Sequence, residues 1–250
     1  MDHSFGSIFT GIGAGDYGLE QAGWRCRWQT EPDPFRRTVL DRHWPDLQRF
    51  WDVKACLASP PYEVPPVELV YGELPNTDPT WWEEIFPLVA VLQTPLWLLE
   101  ASPVAFDLPE QAGLIARFGT LGYWATAKRI GFSSRMRGRI LGQEIVCTLK
   151  RQRLFLLAGR DRPPMNIQAI DEFNPPGLIS GAAPVTLTPK FDERPILDEV
   201  EALVGLPVGW SCLCGQSPCT CGGRIGAVNE ATVTHLLEWI GTWLRACTPA

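Results

Sequence analysis

The strongest constraint on the fold is the regular alternation of strands and helices in the first hundred residues. Apolar runs predict strands at 7–10, 24–30, 67–72 and 95–101, and a short strand that ends at residue 52, with helical segments between them. Elements that alternate at this spacing form a mostly parallel sheet with helices on both faces. The chain is therefore predicted to have an α/β fold.

The second half of the chain is predicted to be less regular. A strand is expected at 151–160 and an amphipathic helix at 230–246, whereas residues 161–195 hold many prolines and show no periodicity. The predicted organisation has three parts, which are 1–160, 161–195 and 196–250.

Positive charge is concentrated in one segment of an acidic chain. The net charge is −6, but residues 128–162 hold ten basic and two acidic residues and carry +8, so the remainder carries −14. A local basic face on an acidic protein suits contact with phosphates at a single cleft. A solvated surface loop is the alternative explanation.

Four of the eight cysteines lie in one ten-residue run with the spacing C-x-C-x4-C-x-C. The sequence shows neither a secretory leader nor a membrane-spanning run, so a cytoplasmic location with a reducing environment is expected, and no membrane partner. Four thiolates in one short loop suit structural Zn²⁺ in tetrahedral coordination. Simple reduced cysteines are the alternative. The predicted ligands are Cys212, Cys214, Cys219 and Cys221.

A glycine turn follows the first predicted strand, in the run FTGIGAG. Glycines at this point let a ligand approach the backbone and the start of the next helix. Glu31 ends the second strand, where an acid can accept hydrogen bonds from a ribose, and Asp52 ends the third. These positions indicate an adenosine-containing cofactor, with ordinary caps and turns as the alternative.

The run SIFTGIGAGDYGLEQAGWRCRWQTEPDPFRRTVLDRHWPD resembles the opening motifs of the DNA (cytosine-5) methyltransferase family, and further matches follow in order along nearly the whole chain. The resemblance implies a Rossmann-like fold of S-adenosylmethionine-dependent methyltransferases and a nucleic-acid partner, with DNA favoured over RNA. Phe9 would pack on the adenine, Glu31 would hold the ribose and Asp52 the adenine amino group. The remaining cofactor residues that it implies are Gly11, Ile12, Gly13, Pro32, Val53 and Gly72.

Two later motifs match residues with which the family grips a flipped pyrimidine. Glu100 lies in LLEAS, and Arg151 and Arg153 lie in LKRQRLFLLAG, with Leu149 where glutamine is usual. The resemblance makes 1–160 the cofactor-binding and catalytic domain and 161–195 a reduced target-recognition region. It makes 196–250 a closing segment that packs back on the catalytic domain, although Ala227 follows Gly226 where the family has asparagine.

The family's catalytic cysteine is replaced by Asn76, in the loop Gly72–Glu73–Leu74–Pro75–Asn76–Thr77. Carbon 5 of cytosine accepts a methyl group only after a thiolate adds at carbon 6, and an amide nitrogen cannot replace that thiolate. Ordinary C5 methylation is therefore expected to be absent.

Three functions remain open from the sequence. In an enzyme with altered chemistry, a heteroatom or an already modified pyrimidine accepts the methyl group, and Glu73 or Asp78 is the general base. An inactive homologue with a regulatory role is the second possibility. The third is a noncatalytic nucleic-acid-binding module. The oligomeric state is not predicted.

Two weaker features offer other routes to catalysis. Ser59–Pro60–Pro61–Tyr62 matches a motif of amino methyltransferases but follows the third strand instead of the fourth. Cys56 or Cys147 could replace the missing nucleophile, but Cys147 is predicted to lie a strand away from the position of attack.

Overall fold

A computed structural model describes residues 3–60, 63–75, 81–101, 113–140, 143–160, 200–202, 204–215, 221, 223–224, 227–228, 231 and 234–247; the side chains of 132–151 are outside this description. The strands are β1 (Ser4–Ile8), β2 (Arg25–Thr30), β3 (Gln48–Phe50), β4 (Leu69–Glu73), β5 (Leu96–Ala101), β6 (Trp124–Ile140) and β7 (Gln143–Gly159). The helices are α1 (Ala14–Gln21), α2 (Pro34–His43), α3 (Val53–Ala58), α4 (Trp81–Leu92), α5 (Leu114–Thr120) and α6 (Thr234–Cys247).

The seven strands form one sheet in the order β3-β2-β1-β4-β5-β7-β6. The first five run parallel, with β1 between β2 and β4, and β7 pairs antiparallel with both β5 and β6. The predicted parallel-rich α/β sheet is therefore confirmed. Because β1 and β4 are neighbours although α1–α3 separate them in sequence, the chain reverses direction across the sheet here, where α/β proteins bind ligands.

Helices cover both faces of the sheet. Strands β4 and β5 alternate their buried side chains, so Val70 and Leu99 enter one core with α3–α5, while Leu69 and Leu98 enter the other with α1 and α6. A third cluster joins the glycine turn and α2 to the C-terminal segment. Its buried members are Ile12, Ala14, Val39, Val200, Val204, Leu206, Trp210, Ala227, Val228 and Ala231.

Helix α6 packs closely on α1. A Cβ on Gly18 would lie 2.4 Å from the carbonyl oxygen of Thr234, and one on Gly241 would lie 2.8 Å from the Cβ of Ala22. The indole of Trp24 donates a hydrogen bond to the carbonyl of Gly241 at 2.9 Å. Glycines on both helices thus permit a close approach that joins the two ends of the chain.

Several predicted boundaries were wrong. Strand β1 spans Ser4–Ile8 instead of 7–10, and α3 (Val53–Ala58) occupies a stretch read as a proline-rich connection. Asp52 is the N-cap of α3, since its carboxylate accepts a hydrogen bond from the amide of Ala55. Helix α3 has six residues, too few for its periodicity to be recognised.

The strand predicted at 151–160 is the final part of the seventeen-residue β7, which pairs with an equally long β6. Their polar and basic sequence hid this hairpin from a search for apolar runs. Among the residues that the structure describes, no helix has the length and apolar character needed to cross a bilayer.

Candidate active site

A cleft lies at the carboxyl ends of the parallel strands, where the loops after β1, β2, β4 and β5 converge. It encloses about 730 Å³ including its open mouth. Of the residues predicted from the sequence, those that line it are Phe9, Gly11, Ile12, Glu31, Pro32, Glu73, Glu100 and Arg153. The cleft therefore combines residues assigned to the cofactor with residues assigned to the base.

The turn after β1 has an unusual backbone. Gly11 and Gly13 have φ of 62° and 80°, and Phe9 has φ of 52°, which is rare for a residue with a side chain. The amide of Phe9 is held by the hydroxyl of Thr30 at 3.2 Å. Strain of this kind persists only where the surroundings impose it, and it concentrates at ligand sites.

Glu31 holds the glycine turn in place. One carboxylate oxygen accepts a hydrogen bond from the amide of Gly11 at 2.7 Å, and the other accepts one from the amide of Asp33 at 2.9 Å. The side chain is buried, and burial raises the pKa of Glu31 above its ordinary value. An acid at this position thus shapes the cleft before any ligand binds.

Glu100 and Arg153 form an ion pair on the opposite wall. Arg153 Nε lies 2.9 Å from one carboxylate oxygen of Glu100, and the hydroxyl of Tyr71 donates to the other at 3.1 Å. Glu100 is 1% exposed, so the pair is held in a fixed orientation away from bulk water. Buried, oriented groups of this kind can recognise the polar edge of a planar base.

Glu73 places a third carboxylate in the cleft. It ends β4, directly beside Glu100 in the register of β4 and β5. A Cβ on Gly11 would lie 3.6 Å from Glu73 Oε2, so this carboxylate reaches over the glycine turn. It therefore lies between the part of the cleft assigned to the cofactor and the part assigned to the base.

Other predicted residues do not line the cleft. Gly72 packs within the sheet, where a Cβ would lie 2.7 Å from Ile8, and Val53 is buried in the core. Gly13 caps α1 and packs against Trp44. Asp52 caps α3. Outside the described residues or side chains lie Asn76, Asp78, Arg151 and Cys219, together with Pro61 and Tyr62 of the amino-methyltransferase motif and the side chain of Cys147.

Sequence reasoning missed part of the lining, namely Arg36, Leu74, Pro75, Ala101, Ala227 and Ala231. Arg36 lies one turn into α2, where its charge reads as a solvated face. Ala227 and Ala231 come from a distant segment, and alanine has no chemical signature of its own. The resemblance of 224–241 to the family's last motif is the one signal that could have pointed to them.

Cys56 does not fit the role of a substitute nucleophile. It is 2% exposed, within the core on α3, and does not line the cleft. Burial raises the pKa of its thiol to about 12, so the reactive thiolate is suppressed.

Three cysteines form a thiol cluster, Cys212, Cys214 and Cys221, whose sulfur atoms all lie within 4.8 Å of one another. The sulfurs of Cys212 and Cys214 are 3.9 Å apart, and the backbone amide of Leu213 donates a hydrogen bond to the sulfur of Cys221 at 3.3 Å. The predicted fourth thiol, Cys219, is outside the described residues. The described part of the loop can therefore offer three ligands to a metal ion.

The thiol cluster is joined to the glycine turn. Arg42 donates to the carbonyl of Cys212 at 2.5 Å, and the ring of His43 stacks on Trp210 with centroids 3.5 Å apart. The indole of Trp210 then donates to the carbonyl of Ile12 at 2.8 Å. Order in the thiol loop is thus transmitted to the wall of the cleft.

A buried ion pair anchors the start of the same loop. Arg224 and Glu201 are fully buried and 3.0 Å apart, and Ser211 bonds to both. A buried pair of this kind positions its segments strictly, because breaking it would leave a charge without compensation.

Comparison with solved structures finds similarity along the whole chain to a prophage-encoded protein from E. coli described as a DNA modification methyltransferase. The TM-score is 0.64 at 13% identity, covering 98% of this chain and 99% of that one. DNMT2 of Spodoptera frugiperda matches 64% of this chain and 50% of its own, with a TM-score of 0.45 and 12% identity. No family model and no curated protein sequence matches.

The first likeness establishes the fold. Together with the strand order, it confirms the predicted Rossmann-like α/β fold of methyltransferases. At 13% identity it does not extend to substrate or mechanism, which depend on the residues of the cleft.

Proposed function

We propose that this protein binds S-adenosylmethionine in the cleft and methylates a base in DNA without a cysteine nucleophile. One observation carries the proposal: residues suited to the cofactor (Phe9, Gly11, Glu31) and residues suited to a base (Glu100, Arg153) line the same cleft. The fold makes a methyltransferase the natural class, and the cleft supplies both halves of its site.

The residues present fit the cofactor. Gly11 leaves open the space in front of the turn, where a Cβ would enter the cleft toward Glu73. Phe9 and Ile12 offer apolar surface for a purine, and Glu31 offers a carboxylate for ribose hydroxyls. When bound, S-adenosylmethionine supplies a methyl group on a positively charged sulfur.

Glu100 and Arg153 would hold the base, and Glu73 would act on its acceptor. A heteroatom acceptor uses its own lone pair, so no prior covalent addition is needed. The acceptor would form a bond to the methyl carbon while the carbon–sulfur bond breaks. The electron pair of the carbon–sulfur bond would stay on sulfur. The acceptor's proton passes to Glu73, which works as general base.

The same proposal assigns a structural role to the thiol cluster as a Zn²⁺ site. Four thiolates at about 2.3 Å from zinc in a tetrahedron have sulfurs about 3.8 Å apart, and the sulfurs of Cys212 and Cys214 lie 3.9 Å apart. Cys214 and Cys221 complete the described ligands, and Cys219 would be the fourth. Closed sulfur coordination excludes water, so this ion would not take part in the reaction.

The test is transfer of a radiolabelled methyl group to plain and base-modified DNA, comparing wild type with Glu73→Gln. Glu73→Gln removes the general base and should lower the rate of methyl transfer by about 100-fold, while the affinity for S-adenosylmethionine stays the same. Glu63→Gln, which removes an exposed carboxylate outside the cleft, should transfer at the wild-type rate. Cofactor binding without transfer to any DNA would favour a regulatory homologue.

A further inference from the structure

Among the residues that the structure describes, strands β6 and β7 extend far beyond the other strands of the sheet. Strand β5 pairs with β7 only as far as Ala101↔Leu154, but pairing of β6 with β7 continues from Ile130↔Arg153 to Ile140↔Gln143. We call residues 130–153 the arm. At about 3.4 Å per residue, ten steps along a strand give it a length of about 34 Å.

The arm leaves the sheet beside the cleft. Since β7 is antiparallel to both β5 and β6, β6 runs in the same direction as β5. The arm therefore continues past the carboxyl ends of the parallel strands, the edge at which the cleft lies. Arg153, at the root of the arm, lines the cleft itself, so the arm begins next to the candidate site.

The strand register separates the arm into two chemically different faces. One face holds Arg135, Arg137 and Arg139 on β6, opposite Thr148, Val146 and Glu144, with Lys150 opposite Ser133. On the other face, the positions beyond Arg151 carry no charge. These are Ser134, Met136, Gly138, Ile140, Gln143, Ile145, Cys147 and Leu149.

We propose that the basic face of the arm binds the sugar-phosphate backbone of duplex DNA and holds the duplex against the cleft. This inference rests on the proposed function and adds to it the surface that binds the substrate. Within a chain of net charge −6, the arm has six basic residues, four of them on this face, and one acid. That contrast directs a polyanion to the arm and away from the rest of the surface.

The dimensions of the arm suit a duplex. Successive residues among Arg135, Arg137 and Arg139 are two positions apart, so they lie about 6.8 Å apart along the strand. This distance equals the rise of about two phosphates along one DNA strand. The major groove of B-DNA is about 12 Å wide and admits a two-stranded β-ribbon. A ribbon with one basic face can lie along a strand of the backbone at the groove's edge.

Protection of the sheet edge is a competing explanation for the charges. Strand β6 is the last strand of the sheet, and charged residues on an edge strand discourage pairing with other chains. That role requires charge on the arm but no affinity for DNA. Removing the arginines would then cause aggregation and leave DNA binding unaltered.

The experiment measures fluorescence anisotropy of a labelled 20-base-pair duplex with the full chain over a range of KCl concentrations. Arg135→Gln/Arg137→Gln/Arg139→Gln should weaken binding at least about ten-fold and reduce the log–log salt slope by about 2.7, because each neutralised phosphate contributes about 0.9. The control Arg25→Gln/Lys54→Gln/Arg117→Gln removes three charges off the arm and should stay within about two-fold of wild type. Equal losses in both triple variants would overturn the proposal.

A second variant tests the same face by gain of binding. Glu144 lies opposite Arg139, so Glu144→Gln removes the one acid of the basic face and should tighten duplex binding about two- to five-fold. This outcome does not depend on the stability of a triple variant. Duplex binding that is unchanged or weaker in Glu144→Gln would contradict the assignment. So would tighter binding of single-stranded DNA or duplex RNA than of duplex DNA.

The experiments distinguish failure of the proposal for the arm from failure of the proposal for the cofactor site. Glu31→Ala removes the carboxylate assigned to the cofactor and should leave duplex affinity unaltered in the same assay. The arm variants should in turn retain the affinity for S-adenosylmethionine measured by calorimetry.

Discussion

At the scale of single residues, buried carboxylates determine the shape of the glycine turn. Glu31 accepts hydrogen bonds from the backbone amides of Gly11 and Asp33, and Asp16, at the start of α1, accepts one from the side-chain amide of Gln29 at 2.6 Å. Both acids lie almost wholly out of water. Their burial costs stability, and the cost depends on pH.

Asp16→Asn should make the protein more stable above neutral pH. Burial raises the pKa of Asp16 to about 7, so the folded state binds the proton more tightly than the unfolded chain does. The contribution of Asp16 to the free energy of unfolding is therefore highest below about pH 4. It falls by roughly 4 kcal/mol as pH rises toward 7. Urea unfolding between pH 5 and 8 should show a gain for Asp16→Asn that grows with pH.

The exposed Asp46→Asn serves as the matched control and should show no such trend. A gain for Asp16→Asn that is the same at pH 5 and pH 8 would show that Asp16 is charged throughout the range.

The proposal that methyl transfer needs no thiol gives a second prediction at this scale. DNA that contains 5-fluorocytosine traps enzymes whose cysteine adds to carbon 6, and wild-type protein should form no adduct that survives denaturing gel electrophoresis. Asn76→Cys should form one if 72–77 correspond to the family's catalytic loop. An adduct with the wild type would mean that another thiol attacks the base.

At the scale of elements, the glycine turn and the thiol loop behave as one unit. Trp210 joins them, because its ring stacks on His43 of α2 and its indole nitrogen bonds to Ile12 of the turn. A change at either end should therefore be detected at the other.

Gly13→Ala should destabilise the protein and weaken cofactor binding. The φ of 80° disfavours any side chain, and the added Cβ would also meet the ring of Trp44 at 2.4 Å. We expect a loss of roughly 3 kcal/mol in chemical denaturation. Gly122→Ala has nearly the same φ but open space around the Cβ, so it should lose only about 1 kcal/mol.

Removal of the proposed Zn²⁺ should weaken cofactor binding at a distance. Protein treated with a zinc chelator should melt at lower temperature and bind S-adenosylmethionine less tightly, since the loop that positions Trp210 loses its cross-link. Cys214→Ser should reproduce this effect and lose the zinc measured by mass spectrometry. Cys247→Ser, which lies outside the thiol cluster, should retain the zinc. Isolated protein that contains no metal but is fully stable would contradict the Zn²⁺ site.

Elements with strong patterns were predictable, and elements governed by tertiary context were not. The run from β1 through the glycine turn to Glu31 could be recognised because glycine turns and strand-end acids leave a local signature. The length of β6 and β7 could not, because their polar residues show no apolar alternation and each strand depends on its partner for hydrogen bonds.

The cleft shows the same division between residues. Glu31 could be nominated because an acid at a strand end is chemically conspicuous, and Glu73 because it lies in the loop that corresponds to the family's catalytic loop. Glu100 and Arg153 could be nominated only through the resemblance of their motifs to those of the family. Ala231 could not, because it reaches the cleft through the packing of a segment two hundred residues away from the turn.

At the scale of the whole molecule, an acidic body carries a basic arm at the edge where its cleft opens. The residues proposed for the cofactor come from the loops after β1 and β2, those proposed for the base from β5 and β7, and the arm from the continuation of β6 and β7. One sheet edge thus collects the residues on which both proposals rest. The central claim is that the cleft is the S-adenosylmethionine site.

Isothermal titration calorimetry with S-adenosylmethionine tests that claim most directly, on wild type, Glu31→Ala and the control Glu63→Ala. The account predicts saturable binding at one site per chain for wild type and Glu63→Ala, and its loss in Glu31→Ala that still melts cooperatively. Absence of binding by folded wild-type protein, or undiminished binding by Glu31→Ala, would contradict it.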